Sequence, residues 1–283
     1  MSYPSPTSRS AVATLLASTA ALLSLGLVAP ATAAAANGSG TATEKQAPHA
    51  TTAVLDLDGA GRTPVIRGAD RAYDTASIVK VDILAALLLK AQDAGRHLTA
   101  AERKLAEPMI RRSDNAAANT LWRAIGRAPG LAAANKRLGL TETTGGSGPR
   151  WGLTKTTAGD QIRLLRAVFD DAGTAKKGRG ALDAQSRAYV RTLMNKVVPE
   201  QTWGVSAFPG SAAGQALKNG WLQRNTTGLW DVNSIGQVTV KGHRYLVAAL
   251  SNGSASMSDG VSLVERAVRD AGRPAGRPGG ARG

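Results

Sequence analysis

Ser77-Ile78-Val79-Lys80-Val81-Asp82-Ile83-Leu84-Ala85-Ala86-Leu87-Leu88-Leu89-Lys90 is the stretch on which the fold turns. Val79, Ile83 and Leu87 recur every four residues, Leu84 and Leu88 lie beside them, and Gly95 ends the run. That spacing predicts a strongly buried helix from Ser77 to Ala94. Residues three apart share a helix face, so Lys80 comes within reach of the Ser77 hydroxyl. An alcohol is a poor nucleophile until a base removes its proton, and a helix N-terminus offers free N–H groups to a developing oxyanion. The bland alternative is a serine cap beside a solvated lysine. S-x-x-K arises roughly once by chance in a chain of this length, so by itself it is weak.

Outward from this helix the rhythm changes. Val54-Leu55-Asp56-Leu57-Asp58 alternates and then meets Gly59-Ala60-Gly61, which predicts a strand entering a turn, with Val65 and Ile66 in its return partner. Thr99-Ala100-Ala101-Glu102 reads as a capping box opening a helix. Further helices are expected over 115–128, 157–172 and 182–194. From Trp221 onward strands return: Ser234 to Val240, a turn at Lys241-Gly242-His243-Arg244, then Tyr245 to Leu250. A last helix runs from Asp259 to Ala271. The fold class expected is α/β (α+β): one antiparallel sheet formed by both termini and flanked by helices, carrying an inserted all-helical subdomain.

The N-terminal stretch stands apart. Met1 to Ser10 is polar, Ala11 to Ala29 is almost unbrokenly apolar, and Ala31-Thr32-Ala33 supplies a small-x-small cleavage pattern. Residues 1–33 read as a secretory signal peptide cleaved near Ala33; the rival is a membrane anchor, since the apolar run is nearly long enough to span. Residues 34–50 read as a flexible lead-in, 51–271 as the domain, and 272–283, with Arg273, Arg277 and Arg282 among Gly and Pro, as a disordered basic tail. A secreted, monomeric protein is expected. The chain has no cysteine, which excludes disulfides, a catalytic thiol and thiolate metal sites. Its three histidines, His49, His97 and His243, are not paired at ligand spacing, so neither a metal centre nor a cofactor is expected. The net charge is +15. Nucleic acid is disfavoured as a partner by sparse aromatics and the lack of a recognition motif, whereas contact with anionic cell-wall polymers, or mere solubility, accounts for the charge.

Two further motifs follow the first. Ser113-Asp114-Asn115 alone is an ordinary N-cap, and Lys218-Asn219-Gly220-Trp221 alone is a common turn. In this order and context, with the serine opening a helix, the second motif between helices and the third at a strand, the set resembles the class A β-lactamases and penicillin-binding proteins. The resemblance spans about Thr51 to Ala271, and Met109 to Asn119 and Leu153 to Thr157 look especially like class A enzymes. It implies a β-lactamase/transpeptidase-like fold and a catalytic set of Ser77, Lys80, Ser113 and Trp221. By that resemblance Ser77 attacks a lactam or D-alanyl-D-alanine carbonyl. The backbone N–H groups of Ser77 and Trp221 form the oxyanion hole, and Ser113 relays a proton to the leaving nitrogen. Asn115 holds Lys80 and the substrate amide, and Lys218 attracts the substrate carboxylate beside Asn219 and Gly220.

Three features depart from the family pattern. Asn219 stands where Thr or Ser is usual, and its amide can still donate to a carboxylate. Ser77 and Ser113 lie closer in sequence than is usual. The stretch Leu140 to Leu153 is short and glycine-rich, and Glu142 is its only carboxylate; Glu142 is the deacylation candidate, with a solvated loop residue as the equal alternative. Lys80 also has to change its ordinary state, because at a pKa of about 10.4 only roughly 0.04% would be neutral at pH 7. Burial, or repulsion from Lys218, has to lower that value by several units. The function expected is a secreted class A β-lactamase-like serine hydrolase acting on β-lactams or peptidoglycan-derived amides. The alternatives are a penicillin-sensitive D,D-peptidase and a catalytically silent cell-wall-binding module.

Overall fold

A computed structural model describes residues 47–69, 71–171, 181–212 and 214–273. The signal peptide, most of the lead-in and the tail beyond Arg273 lie outside these residues. Five strands form one antiparallel sheet in the order β2-β1-β7-β6-β5: β1 (His49–Asp56), β2 (Val65–Arg67), β5 (Ala216–Gln223), β6 (Trp230–Val240) and β7 (His243–Ser254). The expected union of both ends of the domain is the β1–β7 ladder, running from His49 opposite Asn252 to Asp56 opposite Tyr245. β1 therefore starts two residues inside the expected lead-in, because His49 and Ala50 find partners on β7. The β6–β7 turn needs only Lys241 and Gly242, both with positive φ (49° and 86°), the backbone pattern that suits a two-residue hairpin.

The sheet has two buried faces, and β7 shows the division. Leu246, Ala248 and Leu250 join the larger core, while Val247 and Ala249 join the smaller one, as the two-residue period of a strand requires. The smaller core is covered by Val264 and Val268 of α7 (Met257–Ala271). The larger core is built around α1 (Val79–Asp93), which a single 3-10 turn, Ala76–Ile78, introduces. Nearly every residue of α1 from Val79 to Leu89 is buried, so it is a central rod rather than an amphipathic surface helix.

The helices between the strands are α2 (Ala100–Arg111), α3 (Asn115–Ala124), α4 (Arg127–Leu138), α5 (Ala158–Phe169) and α6 (Ala184–Met194). The Thr99 capping box is present in full, with Thr99 Oγ accepting from the Glu102 N–H and Glu102 accepting from the Thr99 N–H. The single helix expected over 115–128 breaks at Gly126, whose φ is +91°, and a new one, α4, begins. Pro129 and Gly130 concealed it. Proline sits in the first turn, where its missing N–H costs nothing. A Cβ on Gly130 would lie 1.6 Å from the Ile125 carbonyl oxygen, so the tight passage between α3 and α4 demands glycine. A two-stranded ribbon pairs β3 (Tyr73–Asp74) with β4 (Lys155–Thr156) and ties the entrance of α1 to the helical part.

Thr99→Ala should lower unfolding free energy by about 1 kcal/mol, and Leu84→Ala, in the middle of α1, by about 3 kcal/mol. Urea denaturation of the two variants checks the ranking.

Candidate active site

The 3-10 turn that carries Ser77 is held on three sides. The Thr75 N–H donates to the Thr154 carbonyl at 2.8 Å. Asn233 of β6 donates its side-chain amide to the carbonyls of Asp74 and Thr75, at 2.9 and 3.1 Å. Gly220 of β5 closes the third side: a Cβ there would lie 2.6 Å from the Ser77 nitrogen and 2.8 Å from the Thr75 oxygen. Only glycine admits so close a backbone approach. Ala76, just before Ser77, has φ +46°, a left-handed conformation that costs a residue with a Cβ on the order of 1–3 kcal/mol.

Lys80 and Lys218 meet at Ser113. Lys80 Nζ donates to the Ser113 carbonyl (2.6 Å), to Ser113 Oγ (3.0 Å) and to Asn115 Oδ1 (2.7 Å). Lys218 Nζ donates to the same Ser113 Oγ at 3.0 Å and to the Asn219 carbonyl at 2.8 Å. Ser113 presents both its oxygens to Lys80 from a left-handed backbone with φ +58°, a second strained residue at the site. Asp114 caps α3 by accepting from the Ala117 N–H at 2.7 Å. Both lysine side chains are wholly buried. Burial pulls the Lys80 amine down to about 7, with the Asp114 charge pulling it upward. Burial, and next the charge of Lys80, hold Lys218 well below the usual lysine value. At a pKa of about 7, roughly half of Lys80 is neutral at pH 7, which removes the obstacle the sequence posed.

Ser77 and Trp221 line one cleft of about 660 Å³ together with Asn115, Asn119, Trp151 and Arg224. β5 is the outer strand of the sheet, so one of its edges carries backbone groups that the sheet does not use. The Trp221 ring packs on the far face, 6.0 Å from Trp203, leaving its backbone to the cleft side.

Three expectations need correction. Asn219 is wholly buried and donates to the carbonyls of Gln201 (2.9 Å) and Trp203 (3.0 Å). Strand alternation sends it to the face opposite Lys218 and Gly220, so it braces the segment before β5 and does not meet a substrate carboxylate. Lys218 does not itself line the cleft, where the cations are Arg150 and Arg224; its ammonium nitrogen stands behind Ser113 Oγ, 3.0 Å away. Glu142 belongs elsewhere. Its carboxylate accepts from Thr157 Oγ at 3.0 Å, and it lines a different cavity with Arg62, Arg163 and Arg166. Among the described residues, none that lines the Ser77 cleft is Asp or Glu.

Trp151 escaped the sequence reading. Lys80 Nζ stands 4.7 Å from its ring centroid, and its indole N–H donates to Asn119 Oδ1 at 2.7 Å. Only its place after the glycines of residues 145–148 hinted at a site. Asn233 was missed as well, because an asparagine inside a strand has no local signature.

The fold is that of the serine β-lactamase and penicillin-binding class. It is similar to the TLA-3 extended-spectrum β-lactamase (15% identity, TM-score 0.65, covering 79% of this chain and 90% of that one). It is similar also to PBP-A (21%, 0.65, 81% and 91%) and to a β-lactamase from Xanthomonas campestris pv. campestris (20%, 0.59, 78% and 90%). The family described as Beta-lactamase enzyme family matches residues 92–273, and the chain belongs to it. The Ser77–Lys80 turn lies just ahead of that span. No curated protein matches the chain.

Gly220→Ala should push the Ser77 turn off the strand and lower the unfolding free energy by about 1–3 kcal/mol. Urea denaturation checks this.

Proposed function

We propose that this protein is an exported serine acyl hydrolase that reacts with β-lactams or D-alanyl-D-alanine amides through an ester on Ser77. The observation that carries this reading is the pair of buried lysines sharing Ser113 Oγ, 3.0 Å from each, behind a serine in an open cleft. A neutral Lys80 has two N–H donors in place of three, so one of its present acceptors is released and a lone pair becomes free. That lone pair takes the Ser77 proton while Ser77 Oγ attacks the carbonyl. The oxyanion forms at the Ser77 and Trp221 N–H groups. Collapse breaks the C–N bond, and the leaving nitrogen takes a proton from Ser113 Oγ, which is resupplied by a lysine ammonium. Water then cleaves the ester and restores the Ser77 hydroxyl. Arg150 and Arg224 are the cations in the cleft for a substrate carboxylate. Export rests on the signal-like residues 1–33.

A second reading, a penicillin-sensitive peptidase, is favoured by one feature: no Asp or Glu lines the described cleft, so water has no carboxylate base there. Lys80 alone has to activate it, under the ring of Trp151. With a chromogenic cephalosporin, this geometry predicts a burst of one equivalent followed by slow turnover. Rapid turnover would overturn the second reading. No Ser77 adduct by intact mass would sink both and leave a silent wall-binding module. Ser77→Ala should abolish the adduct.

The acylation rate should rise as pH increases through about 7 and then level off, because only the neutral Lys80 amine accepts a proton. A rate that is flat from pH 5.5 to 8.5 would remove Lys80 as the base.

A further inference from the structure

Asn119 stands one helical turn beyond Asn115 on α3, and the two share a helix face. Asn115 Oδ1 accepts from Lys80 Nζ at 2.7 Å, and Asn119 Oδ1 accepts from the Trp151 indole N–H, also at 2.7 Å. One face of α3 therefore anchors both the buried amine and the ring beside it. The ring centroid lies 4.7 Å from Lys80 Nζ. Trp151 belongs to a single 3-10 turn, Trp151–Leu153, closed by the Thr154 N–H donating to the Trp151 carbonyl at 3.0 Å. Gly146 fixes where that turn begins: a Cβ there would lie 2.0 Å from the Arg150 carbonyl oxygen. The indole is thus placed from two sides, by its own loop and by α3.

This placement decides what can reach Lys80. The amine already donates to the Ser113 carbonyl, Ser113 Oγ and Asn115 Oδ1, all within 3.0 Å. The ring takes a further side. A water between amine and ring has to stand about 2.9 Å from the nitrogen and about 3.5 Å from the ring carbons, so the gap has to reach about 6 Å. At 4.7 Å there is no room for it. Trp151 also lines the Ser77 cleft, where none of the described lining residues is Asp or Glu. Water that enters to cleave an ester there needs Lys80 as its base and meets the indole first.

We propose that Trp151 is a positioning residue that holds water off Lys80 and, through that, prolongs the life of an ester on Ser77. The second half rests on the reading of Ser77 as the acylated residue; the first stands without it. The ring acts on the amine in opposite directions: its face attracts an ammonium, while its bulk excludes the water that solvates one. Burial is the largest cause that pulls Lys80 down to about 7, with the Asp114 charge opposing it, so exclusion outweighs attraction. Removing the ring raises the Lys80 value and admits water together.

Trp151→Ala and Trp151→Phe separate the ring from its N–H. The Lys80 titration, read by NMR of isotopically labelled lysine, should move upward from about 7 in Trp151→Ala and stay in place in Trp151→Phe, with Asp114 and Lys218 the other charged groups around the amine. Benzylpenicillin adducts are then followed by intact mass after removal of free penicillin, at pH 9 so that a raised Lys80 is still partly neutral. Release from Trp151→Ala should be about tenfold faster, short of the roughly 100-fold of a well-placed base because the admitted water is not fixed. Trp151→Phe should keep the slow release. Faster release shared by both variants would put the effect in the Asn119 tether and overturn the role of the ring. An unmoved Lys80 titration in Trp151→Ala would overturn water exclusion. An upward shift with no adduct on any of these proteins keeps the exclusion and removes the hydrolase. Adducts with one lifetime in all of them keep the hydrolase and remove the link between ring and ester.

Discussion

One hydroxyl between two buried amines is the constraint around which the rest is arranged. Ser113 Oγ accepts from Lys80 and from Lys218 at 3.0 Å each, and both lysines are buried. Two like charges at that separation, without solvent, cannot both be held cheaply. The pair therefore lives in a state where giving up a proton is easy, which a serine nucleophile requires of its partner. Supporting the arrangement takes parts from three places: a rigid α1 for Lys80, the α2–α3 junction for Ser113, and an edge strand for Lys218. No local segment could hold it.

Cost is visible next to function. Ala76 and Ser113 both occupy left-handed backbone regions, one next to Ser77 and the other against Lys80 and Lys218. Each is over-determined by its surroundings, Ala76 by the ties of Thr75 to Thr154 and Asn233 and Ser113 by the Lys80 and Lys218 hydrogen bonds. Gly220 provides the complementary concession, removing a side chain so that strand and turn can touch. The large core around α1 provides the stability against which these concessions are set.

Much of the frame was legible in the chain. The four-residue period of Val79, Ile83 and Leu87 marks a buried helix, the Thr99 box marks the start of α2, and the alternation after Trp221 marks the closing strands. Helix boundaries failed where a breaker was tolerated for a tertiary reason, as at Pro129 and Gly130. At the site, Lys80 meets Ser113 and Asn115, and Asn115 lines one cleft with Ser77 and Trp221. Asn219 does not join them, because pleating turns it away from its neighbours in the motif, and Glu142 does not, because its loop packs against α5.

Residue order alone determined the helix that carries the serine and lysine, the caps that start its neighbours, and the chemical types that could cooperate. These depend on contacts within a few positions, where the period of a helix or strand constrains geometry. Only the tertiary structure decided that burial pulls Lys80 down to about 7, that Trp151 lies over it, and that no described carboxylate lines the cleft. Those outcomes come from solvent exclusion and from distances between segments far apart in the chain, and neither quantity is encoded at any one position.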